Sequence, residues 1–184
     1  MADRVFEPEV RKSMTVLQDY VYREGLDIPS IAIECKKTQS AYLGFERLKD
    51  HQLESLFQFR EKGYAQKMLV ASAPGYMKSR FHGTTPFDFL LTGRGLSFLL
   101  VNFRFTKKAP RKDIPKGTNR CFAVTPEQYQ STKERYIAEG RASIPYEWFV
   151  EEAIECDRIR YRGIDGKYSY CWDLSVLVPN VTLV

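Results

Sequence analysis

The chain has 184 residues, of which 43% are hydrophobic, 28% charged and 14% aromatic, and its formal net charge is +5. This length suits a single domain over residues 1–184, and the composition excludes disordered and collagen-like chains. The longest apolar run spans 96–101, far short of the roughly 18 residues that a membrane span requires. The first residues also lack the apolar segment of a signal peptide, so we expect a cytoplasmic protein with no membrane partner.

The predicted elements alternate between helices and strands. In chain order, the apolar spacing predicts a helix over 4–14, an edge strand over 20–24, a strand over 30–36 and a helix over 44–62. Strands follow over 67–71, 87–91 and 98–105, then a basic loop over 107–118, helices over 125–138 and 145–156, and a hairpin over 158–172. This order favours the α/β class, with a mixed central β-sheet flanked by helices.

Two opposite charges lie on the strand predicted over 30–36. Because side chains alternate along a strand, Glu34 and Lys36 share one face, while Ile33 and Cys35 point the other way. The Cα atoms of Glu34 and Lys36 should lie about 6.6 Å apart, at roughly 3.3 Å per residue. Charge at the end of an apolar strand is costly to bury, so the pair is either an ordinary ion pair or part of a site.

Two further polar residues occupy apolar surroundings. Gln52 lies on the apolar stripe of the following helix, four residues after Leu48 and four before Leu56. Asp88 stands in the apolar sequence Pro-Phe-Asp-Phe-Leu-Leu, where an acid is seldom present for solubility. If Glu34 and Asp88 converge, their carboxylates form an oxygen site suited to Mg²⁺, which polarises a phosphodiester and lowers the pKa of bound water.

Several segments together resemble one family of nucleases. They are Glu34-Cys-Lys36, His51-Gln52, Pro86-Phe-Asp88, Leu100-Val-Asn-Phe-Arg104 and Gly140-Arg-Ala-Ser-Ile-Pro145. The set is similar to the motifs of the PD-(D/E)xK nucleases, and most similar to the RecU-type Holliday junction resolvases and their phage relatives. The resemblance covers most of the chain and implies a bacterial or phage-encoded protein.

This resemblance implies a restriction-endonuclease-like fold and a Mg²⁺-dependent DNA endonuclease that resolves four-way junctions by paired nicks. It implies that Asp88, Glu34 and the Cys35 backbone carbonyl hold the Mg²⁺, for which Mn²⁺ substitutes. Lys36 then stabilises the charged phosphate or assists the attacking water, and Gln52 orients Lys36 or that water. Paired nicks in a two-fold junction need two sites, so the resemblance also implies a homodimer.

The order of the segments departs from that of the family. In the family the Pro-Phe-Asp segment precedes the Glu-x-Lys strand, whereas Asp88 here follows Glu34, as if two neighbouring segments were exchanged. A sheet can hold the same strands with different connections, so Asp88 is the first candidate for the second metal carboxylate. Asp19, which has hairpin spacing before Glu34, and Asp27 are the alternatives. Glu7 matches a helical acid that often completes the resolvase site, although an exposed first-turn glutamate is the plainer interpretation.

Basic segments indicate contacts with nucleic acid. Region 104–120 carries seven basic residues and one acid, and region 76–82 is basic and aromatic. The predicted DNA contacts are Lys37, Lys78, Arg80, Lys107 and Lys108. Binding should then weaken steeply with salt, because cations released from phosphates dominate that free energy. Three alternatives stay open: a nuclease of the same fold that cuts duplex or other branched DNA, a DNA-binding module without catalysis, and an unrelated α/β domain with a chance Glu-x-Lys.

Overall fold

The computed structural model describes residues 6–25, 30–62, 64–68, 89–93, 95–105, 109–162 and 166–178. Its helices are α1 (Phe6–Glu24), α2 (Asp50–Glu61), α3 (Pro126–Ala138) and α4 (Tyr146–Glu152). Its strands are β1 (Ser30–Thr38), β2 (Tyr42–Gly44), β3 (Tyr64–Met68), β4 (Phe89–Gly93), β5 (Gly95–Arg104), β6 (Asn119–Val124), β7 (Ser143–Pro145), β8 (Ile154–Cys156), β9 (Arg158–Arg162) and β10 (Tyr168–Trp172). Short 3₁₀ turns occupy Phe45–Arg47 and Ser175–Leu177.

A mixed sheet of four strands, in the order β1-β5-β6-β8, organises the structure. β1 runs parallel to β5, while β5 and β6, and then β6 and β8, pair antiparallel. In this register Glu34 lies opposite Leu99, and Lys36 lies opposite Val101. The predicted α/β class with a mixed central sheet is therefore confirmed, as is the central position of the strand predicted over 98–105.

Buried clusters cover both faces of this sheet. On one face, Leu99 and Val101 of β5 pack with residues of α2, α3 and α4. On the other face, Leu100 of β5 packs with residues of α1 and with Trp172 of β10. Successive residues of β5 thus enter two different cores, which explains why its sequence is a nearly continuous apolar run.

The first helix, α1, and the last strand, β10, are joined in the buried cluster around Leu100, which we call the second core. The buried Ser13 hydroxyl of α1 accepts a hydrogen bond of 2.7 Å from the backbone N–H of Trp172, 159 positions later. Phe6 meets the Trp172 indole edge to face, with ring centroids 6.3 Å apart. Residues near the two ends of the described chain therefore lie side by side.

α1 is one helix of 19 residues, whereas the sequence predicted a helix over 4–14 and a strand over 20–24. The predicted strand is wrong because Leu17 and Val21 continue the apolar stripe that begins with Val10 and Met14. No helix in the described ranges combines the length and the apolar character that crossing a bilayer requires.

Two other predicted helices are shorter in the structure. The region predicted as a helix over 44–62 contains the end of β2, a 3₁₀ turn and then α2, because β2 pairs with β7 and places Leu43 opposite Ile144. The helix predicted over 145–156 ends at Glu152, because Ile154–Cys156 pairs with β6. β6 was not predicted from the sequence, although Pro115 and Gly117, at the turn that ends the basic loop, directly precede it.

The remaining predicted elements keep their type. The strand over 30–36, the hairpin over 158–172 and the helix over 125–138 are confirmed, and the last begins with reciprocal hydrogen bonds between Thr125 and Gln128. β3 and β4 lie near the strands predicted over 67–71 and 87–91, of which 69–71 and 87–88 fall outside the described residues.

Candidate functional site

Glu34, Lys36 and Gln52 meet where β1 and α2 lie side by side, and we call them the Glu34 cluster. The Lys36 ammonium donates to Glu34 Oε1 at 2.7 Å and to Gln52 Oε1 at 3.0 Å. The Gln52 amide nitrogen donates to Glu34 Oε1 at 2.9 Å. Each of the three side chains therefore contacts the other two, and Glu34 and Lys36 share one face of β1 as their alternation predicts.

The orientation of the Gln52 amide is fixed by its neighbours. Its Oε1 accepts from the Lys36 ammonium and, at 3.2 Å, from the backbone N–H of Lys49, and both of these groups can only donate. The amide nitrogen must therefore face the Glu34 carboxylate. Gln52 is the third residue of α2, so its bond to Lys49 also satisfies one of the free N–H groups at the start of the helix.

Glu34 keeps one carboxylate oxygen open for a further ligand. Both of its donors, Lys36 and Gln52, reach Oε1, and within the described ranges no donor reaches Oε2. The side chains of Glu34 and Lys36 are 27% and 17% exposed. Charges at this depth interact more strongly than on an open surface, yet solvent and small ions still reach them.

The Glu34 cluster stands at an edge of the central sheet. β1 pairs with β5 on one side, and in the described part of the chain no strand pairs with its other side. β3 and β4 form a separate antiparallel pair, with Phe89 opposite Met68. Among the described residues, the edge of β1 beside the cluster therefore has no partner strand.

The opposite face of β1 carries Cys35, in a groove against α1 that Ile33 and Glu7 also line. Burial, followed by the nearby Glu34 and Glu7 carboxylates, raises the pKa of the Cys35 thiol to about 12. The thiol is therefore neutral near pH 7. The metal contact predicted for Cys35 concerns its backbone carbonyl, and it stays a prediction.

Of the four candidates for a second metal carboxylate, two lie in α1 and two lie outside the described residues. Glu7 lies in the first turn of α1, where it is exposed and pairs with Arg11 at 3.0 Å, but it also lines the groove with Cys35, so its place in the site stays a prediction. Asp19 also lies in α1, so the hairpin spacing on which its candidacy rested is wrong. Asp88 and Asp27 lie outside the described residues, and their roles stay predictions.

One of the predicted DNA contacts lies in the described part of the chain. Lys37 is half-buried and, by alternation along β1, points to the face opposite Lys36. The other four, Lys78, Arg80, Lys107 and Lys108, lie outside the described residues. Within the predicted basic region, Arg111 and Arg120 each pair with a carboxylate, so part of this positive charge serves local ion pairs.

Two contacts that hold the site were missed in the sequence. The buried Ser97 hydroxyl of β5 donates to the Leu56 carbonyl of α2 at 2.8 Å and so attaches the helix to the sheet. Ser97 was visible as the single polar residue in the apolar run 96–101. The Lys49 N–H, which fixes Gln52, could have been found from the position of that glutamine near the helix start, which is typical of a capping box.

The Glu34 cluster can bind a divalent cation beside a fixed positive charge, an arrangement suited to an anionic phosphate. In the described ranges, no group of three or more His, Cys, Asp or Glu side chains converges. Comparison of the chain with family models, with curated proteins and with solved structures gives no match. The function of the cluster must therefore be inferred from its geometry.

Proposed function

We propose that the protein is a Mg²⁺-dependent DNA endonuclease of the PD-(D/E)xK type, with a restriction-endonuclease-like fold, that resolves four-way junctions by paired nicks. The observation that carries this proposal is the mutual contact of Glu34, Lys36 and Gln52 at the edge of β1. An ordinary strand-end ion pair accounts for Glu34 and Lys36. It does not account for an amide, 18 positions after Glu34, that bonds both members of the pair.

Lys36 supplies the positive charge in the proposed reaction. Its ammonium has three N–H groups, of which one bonds Glu34 and one bonds Gln52. The third is available to a phosphate oxygen or to the attacking water. Because the ammonium is already held in place, it stabilises negative charge that develops on the phosphate without first having to be ordered.

Gln52 is a positioning residue in this proposal. Its amide holds the Lys36 ammonium through Oε1 and the Glu34 carboxylate through its nitrogen, while the Lys49 N–H fixes the amide itself. The start of α2 thereby sets the separation of the two charges. Both charged side chains lose rotamer freedom in the free protein, so less order has to be imposed when substrate binds.

Glu34 Oε2, Asp88 and the Cys35 carbonyl are the proposed ligands of Mg²⁺, for which Mn²⁺ substitutes. A carboxylate oxygen such as Glu34 Oε2, which no donor in the described part of the chain contacts, is the ligand type that Mg²⁺ prefers. When bound, the ion polarises the phosphodiester and lowers the pKa of a coordinated water. Asp88 directly precedes β4 in the sequence, which makes it the first carboxylate to test.

Four-way junctions as substrate, and a homodimer as the active form, are supported by the motifs that resemble resolvases. Two-fold symmetry of a dimer matches the two-fold symmetry of a junction and provides one site for each nick. Linear duplex and other branched DNA are the alternative substrates for the same cluster, and relative cleavage rates separate these possibilities.

The proposal is tested by cleavage of a labelled four-way junction beside a linear duplex of matched sequence, with Mg²⁺, Ca²⁺ or EDTA. We expect paired nicks in the junction with Mg²⁺ only, and loss of cleavage in Glu34→Gln and Asp88→Asn. Glu46→Gln, which changes an exposed glutamate outside the cluster, is the matched control. Normal cleavage by Glu34→Gln would overturn the proposal, and normal cleavage by Asp88→Asn alone would move the second carboxylate elsewhere.

A DNA-binding module without catalysis is the second candidate. It is favoured by the composition of the Glu34 cluster, in which Glu34 is the one carboxylate, whereas nucleases of this type use at least two. Sedimentation of the protein with the junction and cleavage of the same junction separate the candidates. Tight binding of the junction as a dimer, with no nicks at any Mg²⁺ or Mn²⁺ concentration, would favour the binding module.

A further inference from the structure

The hairpin β9–β10 presents an outer face built from arginine and tyrosine. β9 has the sequence Arg-Ile-Arg-Tyr-Arg and β10 the sequence Tyr-Ser-Tyr-Cys-Trp, so the two strands carry three cations and no acid. We propose that this face binds the phosphate backbone of DNA, at a second surface separate from the Glu34 cluster. The inference takes DNA as the partner from the proposed function, but it does not depend on catalysis.

The two faces of the hairpin differ sharply in exposure. Arg158, Arg160 and Arg162 are exposed, while the residues between them are half-buried. On β10, Tyr168 and Tyr170 are 58% and 52% exposed. The register places Arg162 opposite Tyr168 and Arg160 opposite Tyr170, so these four side chains and Arg158 share the outer face, which ends at the buried Trp172 opposite Arg158.

Tyrosine rings hold these arginines in place. The Arg160 guanidinium carbon lies 3.8 Å from the centroid of the Tyr168 ring, and that of Arg158 lies 4.3 Å from the centroid of the Tyr170 ring. Stacking of this kind uses the flat face of a guanidinium and leaves its N–H groups, which lie in the plane, available to an anion. The cations are therefore ordered before a ligand arrives, which lowers the entropic cost of binding.

The positive charge on this face is only partly neutralised. Arg158 pairs with Glu9 of α1 at 3.5 Å. Among the described residues no carboxylate lies within 4.0 Å of Arg160 or Arg162, and Arg162 donates from Nε to the Gly166 carbonyl at 3.3 Å. Two ordered guanidinium groups therefore remain for an external anion.

The spacing of the arginines is compatible with a nucleic-acid backbone. Same-face residues of a strand repeat every 6.6–6.8 Å or about twice the roughly 3.4 Å rise per nucleotide of one DNA strand. A two-stranded ribbon is also of a size that a DNA groove admits. Beyond the hairpin, Arg162 borders a cleft that Arg23 of α1 lines as well, and Asp19 in the same cleft limits how far the basic surface extends.

The test measures binding of the full chain to a labelled four-way junction in Ca²⁺, across a series of salt concentrations. Arg160→Gln/Arg162→Gln removes both unneutralised cations, and we expect about tenfold weaker binding and a salt slope that falls by about 2. The matched control is Arg135→Gln/Arg141→Gln, which removes the same charge from two arginines that flank the Tyr136 ring of α3 at 5.1 and 5.0 Å. The control should keep the salt slope of the wild type.

The outcomes separate this inference from the proposed function. Weaker binding and a smaller slope in the hairpin variant, but not in the control, support the surface whether or not the wild type cuts DNA. Equal losses of binding in the hairpin variant and the control overturn the proposed surface, because the loss then follows from the lower net charge of the protein. A wild type that binds and cuts the junction, with an unaffected hairpin variant, overturns the surface and leaves the nuclease standing. A wild type that binds no DNA overturns both, and an acidic protein partner would then be the ligand to seek for this face.

Discussion

A second group of three polar side chains lies towards the other edge of the central sheet and makes an instructive contrast with the Glu34 cluster. Arg120 of β6 binds both oxygens of Glu155 on β8 and donates to the Tyr146 hydroxyl at 2.9 Å. Like the Glu34 cluster, it joins a cation, a carboxylate and one further polar group. We call these three residues the Arg120 cluster.

The two clusters differ in the bonding capacity that they leave unused. In the Arg120 cluster both oxygens of Glu155 are taken by one guanidinium, which also lies 5.0 Å from the centroid of the Phe122 ring. In the Glu34 cluster both bonds converge on one oxygen of Glu34, and the second oxygen faces no described donor. A saturated ion pair stabilises the fold, whereas a pair with open positions can also bind a ligand. Substitutions should therefore affect stability at one cluster and activity at the other.

The largest expected effect is on activity, from replacing the cation of each cluster by methionine. Lys36→Met should lower the rate of junction cleavage about 1,000-fold, because it removes an ordered charge beside the phosphate. Arg120→Met should leave that rate within about threefold and lower the unfolding free energy by about 1 kcal/mol, since its pair is partly exposed. Single-turnover cleavage and urea unfolding measure the two quantities. Equal loss of activity in both variants would contradict the contrast.

A smaller effect on activity is expected from replacing Gln52. Gln52→Ala should lower kcat about 10–100-fold with little change in KM, because the two charges lose their common support. Gln52→Glu keeps an acceptor for Lys36 and Lys49 but offers no donor to Glu34. It should therefore be at least as impaired as Gln52→Ala, although glutamate is similar in size to glutamine. A role limited to capping α2 predicts the reverse order, with Gln52→Glu close to wild type, and steady-state kinetics decide between them.

Packing beneath the Glu34 cluster is tested at Gly95, where β5 begins. A methyl group there would overlap the Ser30 backbone oxygen of β1 and the Phe59 ring of α2. Gly95→Ala should therefore lower the unfolding free energy by about 1–3 kcal/mol and disturb the two elements that carry the cluster. Gly44→Ala is the control, since its methyl group would meet the mobile end of the exposed Glu46 side chain. Similar melting temperatures for the two variants would show that β1 and α2 can separate at little cost.

The smallest effect concerns the face of β1 opposite the cluster. Because burial raises the pKa of the Cys35 thiol from about 9 to about 12, its reactive thiolate should keep increasing with pH well above 9. Alkylation of native protein at Cys35 should therefore accelerate about tenfold per pH unit between pH 8 and 11. In unfolded protein the rate should level off near pH 9. Peptide mapping by mass spectrometry measures this, and a native plateau near pH 9 would refute the burial argument.

Local sequence patterns predicted the Glu34 cluster and missed the Arg120 cluster. Alternation along β1 placed Glu34 and Lys36 on one face, and helical spacing placed Gln52 on the inner side of α2. Both rules act over a few residues and need no knowledge of the sheet. Arg120 and Glu155 are 35 positions apart and meet only because β6 pairs with β8, two strands that the sequence did not distinguish from a loop and a helix.

Strands of three residues could not be predicted from the sequence either. β2, β7 and β8 have three residues each, too few to show a period, and their conformation depends on partners distant in the chain. The strand predicted over 20–24 failed for a different reason, because α1 gains its last turns from packing against the second core. Local propensity at Val21 and Tyr20 was overridden by burial.

The bond between Ser13 and Trp172 has a consequence for how the chain is synthesised. α1 is made before the strands that cover its buried face, and Trp172 of the last of them, β10, is made 159 positions after Ser13. Contacts of such sequence separation form late and slow the folding of a domain. β1 and β5 can cover part of the apolar side of α1 earlier, but the part that packs on Trp172 stays uncovered until β10 is made, and it is the segment that chaperones should bind on the nascent chain.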